Sequence, residues 1–156
     1  MNAQNAPAPE FLIHRVYLKD ASFESPNSPA VFRDTESQPD LNVQIGSAHS
    51  EIGSDAGTYE VVLTVTATAK VGDRTLFLAE VTQGGIFTLK GFAEAELGGM
   101  LGAYCPETLF PFAREAVAEL VAKGGFPHLL LSPVNFNAMY TRKLERQRAG
   151  AAGQAG

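Results

Sequence analysis

Tyr59-Glu60-Val61-Val62-Leu63-Thr64-Val65-Thr66-Ala67-Thr68-Ala69 decides the fold. Tyr59, Val61, Leu63, Val65, Ala67 and Ala69 share one parity; Glu60, Thr64, Thr66 and Thr68 share the other, with Val62 the exception. Successive side chains of a strand point to opposite faces, and β-branched residues favour that geometry. The stretch therefore reads as a strand buried on one face. Val71-Gly72-Asp73-Arg74 comes next as turn material, and a second strand runs from Thr75 towards Leu89, so the two form an antiparallel hairpin. Gly84-Gly85 within the second strand implies a bulge or a close backbone contact.

The second strand is apolar on both faces. Phe77, Ala79 and Val81 point one way, while Leu76 and Leu78 point the other way beside Glu80. Such a strand needs cover on both sides. The chain's own helices can supply one cover; the other is expected to be a subunit interface or a partner surface.

Working outward, Glu10 to Glu24 reads as another strand, with Phe11, Ile13, Tyr17, Ala21 and Phe23 on one parity and Asp20, Ser22 and Glu24 on the other. Leu41, Val43 and Ile45 open a fourth, weaker strand, after a long Pro/Ser/Asn loop from Ser25 to Pro39. The C-terminal third is helical. Pro111 suits a first helical turn. Phe112, Ala113, Ala116, Val117, Leu120 and Val121 then form a stripe that Gly124-Gly125 ends. Phe126 to Val134 is an apolar, Pro-containing crossing, and Asn135 can cap a last helix carrying Phe136, Met139, Tyr140 and Leu144. Four strands followed by helices give an α+β fold: an antiparallel sheet packed with C-terminal helices. Residues 1–9 and 149–156 read as flexible termini around a single domain over residues 10–148.

The bulk composition fits that size. A chain of 156 residues with 45% hydrophobic and 19% charged residues has one domain and a modest core. Residues 1–80 carry a net charge of −6 and the remainder +1, within a total of −5. An acidic half attracts basic partners and repels phosphates, so nucleic-acid binding is not expected. Cys105 is the only cysteine, which excludes an internal disulfide and a cysteine zinc cluster. Met1 to Glu10 lacks the pattern of a secretory signal, and no apolar stretch is long enough to insert in a membrane, so a cytoplasmic protein is expected.

Motifs for chemistry are absent. His14, His49 and His128 are scattered, with no neighbour at metal-ligand spacing. The sequence has no Walker A loop, no dinucleotide GxGxxG and no GxSxG elbow. Cys105 sits in Ala103-Tyr104-Cys105-Pro106 without a visible base, and Glu94 and Glu96 are two residues apart and so share no helix face. A non-enzymatic protein with no cofactor and no metal is expected.

Several stretches resemble the SecB family of export chaperones. They are Arg15 to Asn27, Tyr59 to Leu63, Gln83-Gly84-Gly85-Ile86-Phe87, Leu101-Gly102-Ala103-Tyr104-Cys105-Pro106, Leu109 to Glu115, and Phe126-Pro127-His128-Leu129 running into Pro133-Val134-Asn135-Phe136. They occur in family order across roughly residues 10 to 145. The resemblance implies a homotetramer built as a dimer of dimers, which binds unfolded precursor proteins and delivers them to the translocation ATPase SecA. Asp20, Glu24, Leu78 and Glu80 match the family's SecA-docking positions. Phe77, Ala79, Val81 and Gln83 are expected at the oligomer interface, with Ala79 where the family often has Cys. Val43, Ile45, Phe136, Met139 and Tyr140 are candidates for the groove that holds unfolded clients. The family often ends in an acidic tail, whereas this chain ends with Arg142, Lys143, Arg146 and Arg148 before Ala/Gly/Gln. A SecB-like chaperone dedicated to an antitoxin is the alternative on the same fold.

Overall fold

A computed structural model describes residues 7–34 and 37–154. Strands β1 (Glu10–Glu24), β2 (Asp40–Glu51), β3 (Thr58–Val71) and β4 (Arg74–Lys90) are followed by helices α1 (Glu94–Gly99), α2 (Cys105–Lys123) and α3 (Phe136–Gln154). The four strands form one antiparallel sheet in the order β1-β4-β3-β2. All four strands expected from the sequence are present, and Asn135 caps α3 through its side-chain oxygen, which accepts from the Ala138 N–H at 3.0 Å.

One face of the sheet is roofed by helix. Val61, Leu63, Val65 and Ala67 of β3 and Ala79, Val81 and Phe87 of β4 are fully buried there, beneath Cys105, Leu109, Ala113 and Val117 of α2. Those α2 residues recur every four positions, which is why they form one stripe. Phe112, although apolar, falls outside that stripe and stays 48% exposed. Gly85 allows the roof to come close: a Cβ there would stand 2.9 Å from a Leu109 methyl.

Two details of β1 depart from simple alternation. The register with β4 shifts between Ile13 and Arg15 and again between Leu18 and Asp20, so His14 and Lys19 are extra residues. Each extra residue reverses the facing of the strand beyond it. Tyr17, expected with Phe11 and Phe23, therefore lies on the open face opposite Gly84, while Ala21 and Phe23 return to the roofed face. Its ring covers Gly84, where a Cβ would stand 2.5 Å away. The double glycine thus marks close contacts on both faces, and the bulges sit on the neighbouring strand. A third shift, between Ala69 and Lys70 in the β3–β4 pairing, makes Leu76 the odd residue. Leu76 does not continue the Leu78 face but lines a hollow with Val31.

The helical part starts earlier than Pro111 suggests. Glu94 through Lys123 is continuous helix, with one wide π-helical turn over Met100–Tyr104 in which the Cys105 N–H reaches the Met100 carbonyl. Pro106, not Pro111, occupies the first turn of α2, and Pro111 lies inside the helix on its exposed side. Proline cannot donate a helical bond, so a wide turn before Pro106 and solvent beside Pro111 are where the backbone tolerates the loss. Gly125, at φ 87°, closes α2, with the Phe126 N–H bonded to the Val121 carbonyl at 3.2 Å. The Ser25–Pro39 loop contains a short 3-10 turn, Ala30–Arg33, whose Phe32 packs on Phe126. The C-terminal residues 149–154, expected to be flexible, continue α3, while the expected flexible stretch over residues 1–6 and the last two residues lie outside the described residues.

Candidate functional site

The open face of the sheet carries a small grid of side chains. Antiparallel register sets Asp20 opposite Thr82, Ser22 opposite Glu80 and Glu24 opposite Leu78. The same β4 residues face Thr64, Thr66 and Thr68 on β3. Directly opposite residues share a face, so Asp20, Glu24, Leu78 and Glu80 lie together. Asp20 and Glu24 are exposed on the edge strand; Leu78 and Glu80 are half-buried on an inner one. Thr66 Oγ1 donates to Glu80 Oε2 at 2.9 Å, which fixes that carboxylate. The second β1 bulge is what brings Asp20 and Glu24 to this side, since it resets the facing just before Asp20.

A second cluster lies on the same face. The Tyr17 hydroxyl donates to Glu60, and Lys19 Nζ meets the same carboxylate at 2.9 Å. Burial and then the Glu60 bond push the Tyr17 hydroxyl up to about 12. Donation from Tyr17 first, then from Lys19, holds the Glu60 carboxyl below its usual range. Glu60 is thereby held as a carboxylate whose charge Lys19 offsets, while Asp20, Glu24 and Glu80 form a separate acidic group on this face.

Phe77, Ala79, Val81 and Gln83 do not reach the surface. All four lie on the roofed face and are almost fully buried inside the chain itself. Within the single chain they lie on the side of β4 that α2 covers. The physical reason is the facing of β4, whose roofed parity is odd-numbered from Phe77 to Gln83.

The groove candidates gather along β2. Leu41, Val43 and Ile45 face the helices but lie beyond the edge of α2, so Leu41 remains 44% and Val43 36% exposed. Between them, Phe110 and the Leu130–Val134 crossing is a cavity of about 320 Å3. A second cavity of about 420 Å3 lies between Ile45, Leu63 and α3, with Phe136, Met139 and Tyr140 on its wall. Ile45 lines both, so the two adjoin along β2. Phe136 is mainly a core residue, buried and 5.6 Å edge-on from the Phe110 ring. Sequence reasoning missed Leu41, Leu130, Leu131 and Pro133. The crossing has no periodicity to read, and the exposure of Leu130, at 68%, is set by tertiary packing alone.

The remaining chemistry candidates stay apart. His14 Nε2 lies 2.6 Å from Thr88 Oγ1, His128 is exposed, and Glu94 and Glu96 sit exposed in the first turn of α1. Among the described residues no group of three or more His, Cys, Asp or Glu could hold a metal ion, and no helix is long and apolar enough to cross a membrane. Cys105 is fully buried, and burial pushes its thiol up to about 12 from an ordinary 9.0. Because the folded value is the higher one, the thiol favours folding below about pH 9 and that contribution is lost as pH rises towards 12. Iodoacetamide at about pH 8 is expected to leave Cys105 unmodified in the folded protein and to alkylate it after denaturation, as read by mass spectrometry. Alkylation of the folded protein at the rate of a free thiol would contradict its burial.

Comparison with known proteins agrees with this architecture. A family model described as Preprotein translocase subunit SecB matches residues 4–147. The Protein-export protein SecB of Nitrosococcus oceani is 54% identical over 145 residues, covering 92% of this chain and 87% of that one. Its counterpart in Marinobacter nauticus is 48% identical over 152 residues, covering 97% and 90%. Among solved structures, a SecB-like chaperone of Mycobacterium tuberculosis in complex with a peptide from an antitoxin superposes with a TM-score of 0.66 at 15% identity, covering 80% of this chain and 90% of that one. That likeness is one of fold. With the family matched over almost the whole chain, and relatives at about half identity over nearly its full length, the chain belongs to the SecB family of protein-export chaperones.

Proposed function

We propose that this chain is a cytoplasmic, ATP-independent holder of unfolded precursor proteins that works as a dimer of dimers and passes its clients to SecA. The observation that carries the reading is the pair of cavities that meet at Ile45 on β2, with apolar walls from Leu41, Val43, Leu130, Met139 and Tyr140. An unfolded client offers scattered apolar side chains. Each gains about 1.5–3 kcal/mol when fully buried, while ordering the chain costs about 1–2 kcal/mol per residue. One short segment therefore binds weakly and releases readily. Several grooves on one oligomer raise the overall affinity by about 10²–10⁴.

Assembly has its own support. β1 is a 15-residue edge strand with Ile13 47% and Leu18 54% exposed, α2 turns Phe112 outward, and the π-helical turn before it does the same with Tyr104. A long apolar edge left bare invites pairing with another strand, and a second copy of the chain supplies one. In this reading Phe77, Ala79, Val81 and Gln83 serve assembly by seating α2. Docking to SecA is assigned to the grid of Asp20, Glu24, Leu78 and Glu80, on the face opposite the groove, so a client and SecA need not compete for one surface.

The test is aggregation of a chemically denatured precursor, monitored by light scattering without nucleotide, alongside sedimentation at micromolar protein. The expected result is suppression of scattering at one oligomer per client and sedimentation as a tetramer. A stable monomer, or scattering that rises as in the absence of the protein, would sink the reading.

A further inference from the structure

Backbone alone aims Asp20 and Glu24. Glu80 is fixed by the Thr66 hydroxyl at 2.9 Å, whereas the hydrogen bonds and ion pairs found among the described residues include none from the side chain of Asp20 or Glu24. Their facing follows from the bulge between Leu18 and Asp20, where Lys19 is the extra residue. Continued without that bulge, the register would set Asp20 opposite Val81 and Glu24 opposite Phe77, both on the roofed face. Phe23 secures the far side of the bulge. Its ring stacks 6.0 Å from Phe77 and lies over Gly124, where a Cβ would stand 2.1 Å away.

The near side has an anchor of a different kind. Tyr17 and Lys19 both reach across β4 to one carboxylate on β3, two strand spacings, roughly 10 Å, away. The Tyr17 hydroxyl donates to Glu60 Oε2, and Lys19 Nζ donates to Oε1 at 2.9 Å and to Oε2 at 3.0 Å. The crossing is open because Gly84, opposite Tyr17 on β4, has no side chain to block the ring. Tyr17 precedes the bulge and Lys19 lies in it, so a single carboxylate ties both to the middle of the sheet. The Glu60 side chain is only 23% exposed, which screens these bonds less than those of a fully exposed pair.

We propose that Tyr17, Lys19 and Glu60 form a latch that holds the second β1 bulge and so positions Asp20 and Glu24 for SecA docking. The inference rests on the docking reading above and deepens it: the three are positioning residues, outside the grid itself. The latch also keeps the Lys19 cation on Glu60 and away from the grid's carboxylates.

The test is the double variant Tyr17→Phe, Lys19→Met in the full-length protein. It keeps the ring over Gly84 and the lysine's apolar stem, and it removes all three bonds to Glu60. Charge and positioning predict opposite signs. Loss of a cation, with Glu60 left unpaired, makes this face more negative and by charge alone would tighten binding of a basic docking segment. Loss of the latch instead weakens SecA binding, by roughly three- to fivefold at low salt, because the two carboxylates it positions each contribute modestly. Amide hydrogen exchange, read by mass spectrometry, should quicken over β1 from Leu18 to Glu24 and stay unchanged in β3. Client holding and sedimentation should match the wild type. Tyr17→Phe with Lys19→Arg, which returns a cation to Glu60, should restore most of the affinity. Either single variant keeps one donor and should show a smaller loss of the same sign, which carries the test if the double variant does not fold. Unchanged exchange over β1, or SecA affinity equal to or tighter than wild type, would overturn the latch. Parallel loss of client holding or of the wild-type sedimentation would also overturn it, by making the three residues general supports of the fold. Failure of the docking reading shows separately, as a wild-type SecA affinity that ignores charge reversal at Asp20 and Glu24.

Discussion

Asp20→Lys and Glu24→Lys combined with Glu80→Gln are expected to weaken SecA binding at low salt by roughly tenfold or more, while client holding stays at the wild-type level. The two lysines replace exposed edge-strand carboxylates, so the fold has little to lose there. Glu80 is changed only to Gln because Thr66 donates to it at 2.9 Å, and an amide oxygen can still accept that bond. An exposed ion pair contributes about 0.2–1 kcal/mol, and reversing a charge turns that attraction into a repulsion of similar size. Two reversals and one neutralisation together reach or exceed about 1.4 kcal/mol, which corresponds to tenfold. Leu78 lies between the charges and offers an apolar anchor, so Leu78→Arg alone should also weaken binding, with less dependence on salt. Titrating SecA at two ionic strengths separates the parts. The charge contribution falls as the screening length drops from about 10 Å at 0.1 M to about 3 Å at 1 M. Unchanged affinity at low salt would remove this face as the docking site. Equal loss of client holding would make the residues structural.

How far this site is legible in the sequence depends on which residues decide it. β3 alternates cleanly because both its neighbours are strands and one of its faces is fully roofed, so burial alone sets its pattern. β1 carries the same kind of pattern but is broken at His14 and Lys19, and no property of those residues announces a bulge. The register is settled by what β4 offers opposite, including Gly84, whose missing Cβ admits the Tyr17 ring. Parity nonetheless keeps Asp20 with Glu24, and Leu78 with Glu80, because no bulge falls inside either pair. The start of the helical region is ambiguous in the sequence because Pro106 and Pro111 both suit a first turn locally. Which of them begins α2 is decided by the wide turn over Met100–Tyr104 that precedes Pro106. The groove is half legible. Val43, Ile45, Met139 and Tyr140 sit on periodic elements, whereas the wall from Leu130 to Val134 is irregular chain whose facing only tertiary packing determines.

Leu41→Asp with Val43→Asp is expected to abolish holding of a long unfolded client while leaving the fold and the tetramer intact. Both side chains are already partly in water, at 44% and 36% exposure, so the free protein loses little by the change. The bound state loses more. Apolar area covered by a client is worth about 25 cal/mol per Å2, which for two half-open side chains gives on the order of 1 kcal/mol each. An aspartate facing an apolar client segment adds a desolvation cost of its own. A single-segment peptide should therefore bind about tenfold to a hundredfold more weakly. A long client engages several grooves at once, and a penalty repeated at each groove multiplies. Holding measured by light scattering should consequently vanish at concentrations where peptide affinity is only reduced. That disparity is the informative quantity. Equal proportional losses for peptide and long client would mean that one groove acts alone, and unimpaired holding would mean that clients bind elsewhere than along β2.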